Sequence, residues 1–212
     1  MPDVKERPII FSDAMVLAIR EGRKTQTRRV IVPRPVFERD GGVWYPSPVN
    51  NRAKHYASET HFRKGVVIDF YPYGVPGDRL WVKETWFSPE YASTGKIPTG
   101  PGCAYYRADG DTDCWDGPWK SARYMPRWAS RILLELTDVR VQQVQEIGEA
   151  DAMAEGVLPE DWEDRVPAGP ICTPHVGRIA FRNVWDSLNY KRGYGWEANP
   201  WVWALAFKVL DA

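Results

Sequence analysis

Residues 201–210 read Trp-Val-Trp-Ala-Leu-Ala-Phe-Lys-Val-Leu, and this apolar stretch constrains the fold more than any other part of the chain. Trp203, Leu205, Phe207 and Val209 alternate with smaller residues, so the segment is an extended strand whose faces must both be covered. Two more segments have the same period. Arg79-Leu80-Trp81-Val82-Lys83-Glu84-Thr85-Trp86 alternates in the manner of a barrel strand, and Ile132, Leu134 and Leu136 mark a long strand over Arg131 to Val141. Shorter extended pieces are expected at Arg7–Phe11 and at Gln26–Val32, the latter ended by Pro33 and Pro35.

Helical spacing occurs between these strands. Ser12 or Asp13 offers an N-cap to a short helix carrying Met15, Val16 and Ile19, which stops at Gly22. Glu149 to Glu155 reads as a short acidic helix ended by Gly156, and Phe181, Val184, Trp185 and Leu188 form one stripe of a helix over Arg178 to Asn189. Strands dominate and helices decorate them, which gives a mixed α+β fold that is mainly β. The segments 33–76 and 87–124 are rich in Gly, Pro, Asn and Asp and read as two loop-rich insertions able to shape a pocket mouth. At 212 residues, residues 1–212 are expected to form one domain with those insertions.

Charge narrows the partners. Lys plus Arg total 28 and Asp plus Glu total 28, so the chain lacks the basic excess that grips long duplexes, and a nucleic-acid partner should be small or locally held. No stretch approaches the roughly 20 apolar residues that span a bilayer, and no signal-peptide pattern opens the chain. Three cysteines, Cys103, Cys114 and Cys172, lack paired spacing and suit a reducing, cytoplasmic setting. The 11 tryptophans fit aromatic core layers, or alternatively a surface that stacks bases.

The common phosphate-loop, HExxH, GxSxG and CxxC signatures are absent. His55, His61, His175 and Cys172 lie in loop-like segments and read as ordinary side chains, so no cofactor or metal is expected. Gly22-Arg23-Lys24-Thr25-Gln26-Thr27-Arg28-Arg29 is different, because it sets a lysine, hydroxyls and three arginines at a helix-to-strand junction. A solvated basic edge strand would look the same. In an extended strand, however, Thr25, Thr27 and Arg29 share one face, and two hydroxyls beside a guanidinium recognise oxygens.

Gly22-x-Lys24-x-x-Thr27-x-Arg29 resembles the signature of the ASCH family, departing at Thr27 where much of the family has Glu. The resemblance implies a PUA-like β-barrel linked to RNA. The segment is also similar to that of small bacterial ASCH enzymes that hydrolyse the acetyl amide of 4-acetylcytidine with a Lys, a Thr and a Glu. That similarity makes Lys24 and Thr27 catalytic and puts Glu155, in Ala152-Met153-Ala154-Glu155-Gly156, in the third role. It covers about half the chain and leaves out both insertions. With Pro76 to Trp86 and Met125 to Arg131, the whole sequence resembles longer ASCH-type proteins encoded by phages and prophages.

On that resemblance Thr27 supplies the nucleophile, Lys24 accepts its proton and Glu155 delivers one to the departing amine. A lysine of pKa about 10.4 is neutral only about once in 2,500 molecules at pH 7, so the value at Lys24 must fall. Arg29 is the candidate for holding the substrate carbonyl or oxyanion, with Arg23 and Thr25 beside it. Glu84 rivals Glu155 as the carboxylate, and Trp81, Trp86 and Trp128 offer a stacking wall for a base. A module that binds RNA or a modified base without cleavage, or an ASCH-type ribonuclease, would use the same basic segment. The expected partners are a modified nucleoside or short RNA, with no membrane and no long duplex.

Overall fold

The alternating segments assemble into one five-stranded sheet. In the computed structural model, which describes residues 4–46, 53–70, 72–96, 104–110, 118–157 and 176–211, the closing segment is strand β10 (Trp201–Asp211). Numbering the other elements in chain order, the sheet also contains β1 (Glu6–Ile10), β2 (Gln26–Val30), β6 (Arg79–Lys83) and β9 (Leu133–Gln143). Their spatial order is β1-β6-β9-β10-β2. β1 and β6 run parallel, and the other pairs are antiparallel.

β10 is interior because both its faces are apolar. Trp201, Trp203, Leu205 and Phe207 join the main core with Ile9, Leu80, Val82, Leu134 and Leu136. Val202, on the opposite face, joins a second core with Phe181, Trp185 and Trp196. Burying such side chains is worth roughly 1.5–3 kcal/mol each, which is why register along β10 is strongly specified. β1 and β2 sit at the two ends of the strand order. They are linked by a side chain, since Arg29 Nη2 donates to the Ile10 carbonyl at 2.5 Å.

The helices cover the sheet. α1 (Asp13–Arg20) follows β1 and buries Val16, Ala18 and Ile19. α4 (Glu149–Ala154) packs against α5 (Val176–Asn189), which turns Phe181 and Trp185 inward as its stripe requires. The mixed, mainly-β class read from the sequence is therefore the class observed.

The first insertion corrects the sequence reading. The described residues of 33–76 are largely regular: β3 (Val36–Phe37), β4 (Val43–Pro46) and β5 (Ala53–Tyr56) form an antiparallel meander, followed by α2 (Glu59–Phe70). Val43, Tyr45, Tyr56, Phe62 and Val66 complete the main core, with Phe62 meeting Trp201 edge-on at 5.4 Å. Strands of two to four residues are too short to show a period. Residues 66–70 are the end of α2, in which Phe62 and Val66 are one turn apart on the buried side. In the second insertion, α3 (Pro89–Thr94) precedes β8 (Tyr105–Tyr106), which pairs with β7 (Trp86–Phe87). The strand expected over Arg79–Trp86 thus breaks at Glu84 into β6 and β7.

Candidate functional site

Lys24 owes its position to the way α1 ends. Gly22 takes φ +75°, which only glycine adopts without strain. The chain then turns so that the Arg23 and Lys24 amides both donate to the Ala18 carbonyl at 2.9 Å. Lys24 is left 1% exposed. From the other side the end of α4 docks on the start of β2: the Thr25 amide donates to the Ala154 carbonyl at 2.8 Å, and Lys24 faces Glu155 as a bridge pair. Gly156, at φ +81°, is the contact point. A Cβ there would lie 2.8 Å from Lys24 Cβ and 3.0 Å from Ala18 Cβ.

Two carboxylates then hold three cations. Lys24 Nζ donates to Glu155 Oε2 at 2.7 Å and to the Glu155 carbonyl at 2.8 Å. Arg28 Nη1 donates to Glu155 Oε1 at 2.9 Å and Nη2 to Asp151 Oδ2 at 2.9 Å. Asp151 also accepts from Gln26 Nε2 at 2.9 Å and Arg140 Nη2 at 3.1 Å. Gln26 and Arg28 share one face of β2 and reach α4, whereas Thr27 and Arg29 project from the other. Burial pushes the Lys24 pKa down and the Glu155 carboxylate opposes this, but Arg29 and Arg28 add to the burial effect, so the value falls below the ordinary lysine range. A neutral amine has two protons and one lone pair. With both protons on Glu155, the lone pair is free to accept a third.

This group lies in the wall of a cavity of about 570 Å3, within the roughly 300–1,000 Å3 of small-molecule sites. Lys24, Thr27, Arg28, Arg29 and Glu155 line it, so two segments far apart in sequence bring the expected Lys, Thr, Glu and Arg together. Thr27 is 2% exposed. The aromatic lining is Phe181 and Trp185 of α5 with Tyr73, none of which the sequence reading assigned to the site. The helical stripe of α5 was the available signal, but it is equally the signature of core packing. Two other concavities, of about 610 and 600 Å3, contain no buried charged side chain among their described lining residues.

The other expected site residues lie elsewhere. Thr25 is exposed, because the chain reaches β2 by a turn and the face shared by Thr27 and Arg29 does not extend back to it. Arg23 points outward to Glu21 and donates to the Gly156 carbonyl at 3.0 Å. Glu84 is fully buried but accepts from Arg131 Nε and Nη2 at 3.0 and 2.9 Å, and Arg131 also binds Asp109. It is thus a separate ion-pair network outside the cavity. Trp86 and Trp128 meet edge-on at 5.6 Å in a third apolar cluster with Met125 and Ala129. Trp81 lies beside Lys83 and Arg127. No stacking wall forms from these three. Nor do the insertions wall the cavity: Tyr73 is their only contributor among the described residues, and α5 does the work instead.

The acidic residues of α4 and its C-terminal end are engaged by partners. Glu149 accepts from the Gly177 and Arg178 amides at the start of α5, while Asp151 and Glu155 hold the cations. Glu160, Asp161, Glu163 and Asp164 lie outside the described residues. His55 contacts Glu38 and His61 contacts Ser58; the three cysteines and His175 are outside the described residues. Among the described residues no group of three or more His, Cys, Asp or Glu could hold a metal, and no helix is long and apolar enough to cross a membrane.

Fold and site together define a mixed α+β protein with a buried lysine–carboxylate pair in the wall of a small-molecule cavity. Two solved structures are similar to the chain. One, from Enterococcus faecalis and assigned to the family DUF984, is 8% identical with a TM-score of 0.43, over 100% of this chain and 84% of the other. The second is an ASCH domain from Lactobacillus crispatus, 14% identical with a TM-score of 0.40, over 98% of this chain and 81% of the other. No family model matches the sequence, and no curated protein does.

Proposed function

We propose that the protein is an amidohydrolase that uses its own side chains to remove an acyl group from the exocyclic nitrogen of a modified cytosine nucleoside such as 4-acetylcytidine. The observation that carries this reading is the buried contact of 2.7 Å between Lys24 Nζ and Glu155 Oε2 in the cavity that Thr27 also lines. Thr27 attacks the acyl carbon while the Lys24 amine, its two protons held by Glu155, takes the hydroxyl proton. Collapse of the tetrahedral intermediate breaks the carbon–nitrogen bond. The proton on Lys24 passes to the departing amine, directly or along the Lys24–Glu155 contact, and leaves an ester on Thr27. Water then attacks the ester, Lys24 takes its proton and returns it to Thr27, and the acid is released.

Burial of Lys24 favours the neutral amine that this sequence of steps needs. Phe181 and Trp185 provide apolar lining for a base. Arg28 is occupied by Glu155 and Asp151, and its role is to fix the carboxylate that fixes the lysine.

A second reading has its own support. Both oxygens of Glu155 are already engaged by cations, and a closed charge network of this kind also suits a module that binds a modified base or short RNA without cleaving it. The test is chromatographic assay of 4-acetylcytidine hydrolysis by the purified protein beside Lys24→Ala and Thr27→Ala. Turnover lost in both variants supports the hydrolase; a folded wild-type protein that binds acylcytosines without turnover rejects it in favour of the binding module.

A further inference from the structure

We propose that Arg29, Arg192 and Tyr73 form a phosphate subsite in the cavity wall, so that the ligand is a nucleoside monophosphate rather than a free nucleoside. The inference rests on the proposed reading for the base, and on these three side chains alone for the phosphate.

All three line the cavity that holds Lys24 and Thr27. Arg29 donates to the Ile10 carbonyl and lies 5.0 Å over the Phe11 ring, and its Nε has no partner among the described residues. Arg192 has only a long contact of 3.5 Å to the Asn189 side chain. Neither guanidinium has a carboxylate within ion-pair distance among the described residues. That sets them apart from the rest of the site, where Lys24, Arg28 and Arg140 all have acidic partners. The nearest carboxylate in the cavity wall, Glu155, has both oxygens taken by Lys24 and Arg28.

Arg29 is half-buried, with its Nε enclosed and no counter-ion, which is unfavourable, and the positive charge of the exposed Arg192 adds to that. An incoming anion removes that cost. The choice of phosphate follows from the donors. Two guanidiniums and a phenol offer several donors and up to two positive charges, which suit the three terminal oxygens and the charge of about −1.5 to −2 of a phosphate monoester. A single carboxylate satisfies less of that set. Arg192 is exposed whereas Phe181 and Trp185 are buried, so the phosphate would sit toward solvent with the base deeper, against the two aromatic rings.

The test is calorimetric titration with cytidine, cytidine 5′-monophosphate, cytidine 3′-monophosphate and inorganic phosphate, on the wild-type chain and on Arg192→Ala. Arg192 is exposed, so the variant should keep the fold, which circular dichroism checks. At low ionic strength one of the two monophosphates should bind at least about tenfold more tightly than cytidine, inorganic phosphate alone should bind weakly, and Arg192→Ala should reduce both effects to the level of cytidine. Equal affinity for cytidine and both monophosphates overturns the proposal, as does a preference that survives Arg192→Ala. Inorganic phosphate binding as tightly as either nucleotide also overturns it, by making the subsite a general anion site. Phosphate binding that depends on Arg192 in a protein that hydrolyses neither 4-acetylcytidine nor its monophosphates keeps the subsite and rejects the hydrolase.

Discussion

Replacing Glu155 with Gln keeps shape and volume but removes the charge that balances Lys24 and Arg28. The amide oxygen can still accept from Lys24 at the position of Oε2, but the amide nitrogen then faces Arg28 Nη1, now 2.9 Å from Oε1, and two donors oppose each other. Breaking a buried pair by deleting one partner costs about 3–5 kcal/mol. Lys24 has one escape, which is to lose its proton. From an unfolded pKa of about 10.4, discharging it at pH 7 costs about 4.6 kcal/mol, and at pH 9 only about 1.9 kcal/mol. These values cap the lysine's share of the penalty.

The sign follows from proton counts. Between a depressed folded pKa and the unfolded value, the native lysine is neutral and the unfolded one charged, so the unfolded chain binds more protons and stability rises with pH. Burial already depresses Lys24, with Glu155 opposing; removing Glu155 lowers it further and opens that window at lower pH. The deficit of Glu155→Gln against wild type should therefore be about 3–4 kcal/mol at pH 7 and smaller at pH 9, where the lysine's share is at most about 2 kcal/mol and only the clash at Arg28 is unrelieved. Urea unfolding followed by tryptophan fluorescence reads both. A deficit that stays constant across this range, or a variant as stable as wild type at pH 7, would refute the closed charge network.

Gly156→Ala should lower stability by about 1–3 kcal/mol, from a Cβ forced at positive φ to within 2.8 Å of Lys24 Cβ, and should show as a lower Tm together with loss of hydrolysis. Burial pushes the Asp78 carboxyl up, but the Lys5 amide, the Arg7 guanidinium and the Val75 amide outweigh it and hold the pKa below the ordinary range. The stability this gives is complete above pH of about 3.9 and is lost as pH falls through the lower folded value, so Asp78→Asn should be less stable at pH 6 yet lose less on acidification to pH 2, in acid titrations by circular dichroism. Phe181→Ala should raise KM for the acylcytosine several-fold, whereas Trp81→Ala, outside the cavity, should leave it unchanged; the reverse in steady-state kinetics would restore the tryptophan wall.

The long strands were legible because each carries its own pattern. β9 and β10 have eleven residues each, β9 alternating buried Leu134 and Leu136 with polar neighbours and β10 apolar on both faces over its first half, and α5 repeats its stripe over fourteen, so local period and burial agree. β3, β4 and β5 have two to four residues each, at most two alternations and too few to stand out as a period, and their aromatic residues find meaning only against Phe62 and Trp201. The strand expected through Glu84 failed for a different reason: the pattern continues, but Glu84 turns to Arg131 and the chain changes partner from β9 to β8.

At the candidate site the residue types were visible and their grouping was not. Gly22, Lys24, Thr27 and Arg29 are close in sequence, and a turn at Gly22 followed by a strand is enough to relate them. Sequence by itself therefore determined the mainly-β class, the helix-to-strand junction and the lysine, threonine and arginine residues at it. It could not decide which carboxylate meets Lys24, because Glu155 lies 131 residues away and Glu84 had equal local merit. Nor could it tell that Arg28 faces α4 while Arg29 bridges two edge strands, or that α5 walls the cavity. Those choices depend on the docking of α4 and α5 against the edge of β2. They were made by the tertiary structure, since burial and ion pairing are properties of elements packed together and no one segment of the chain possesses them.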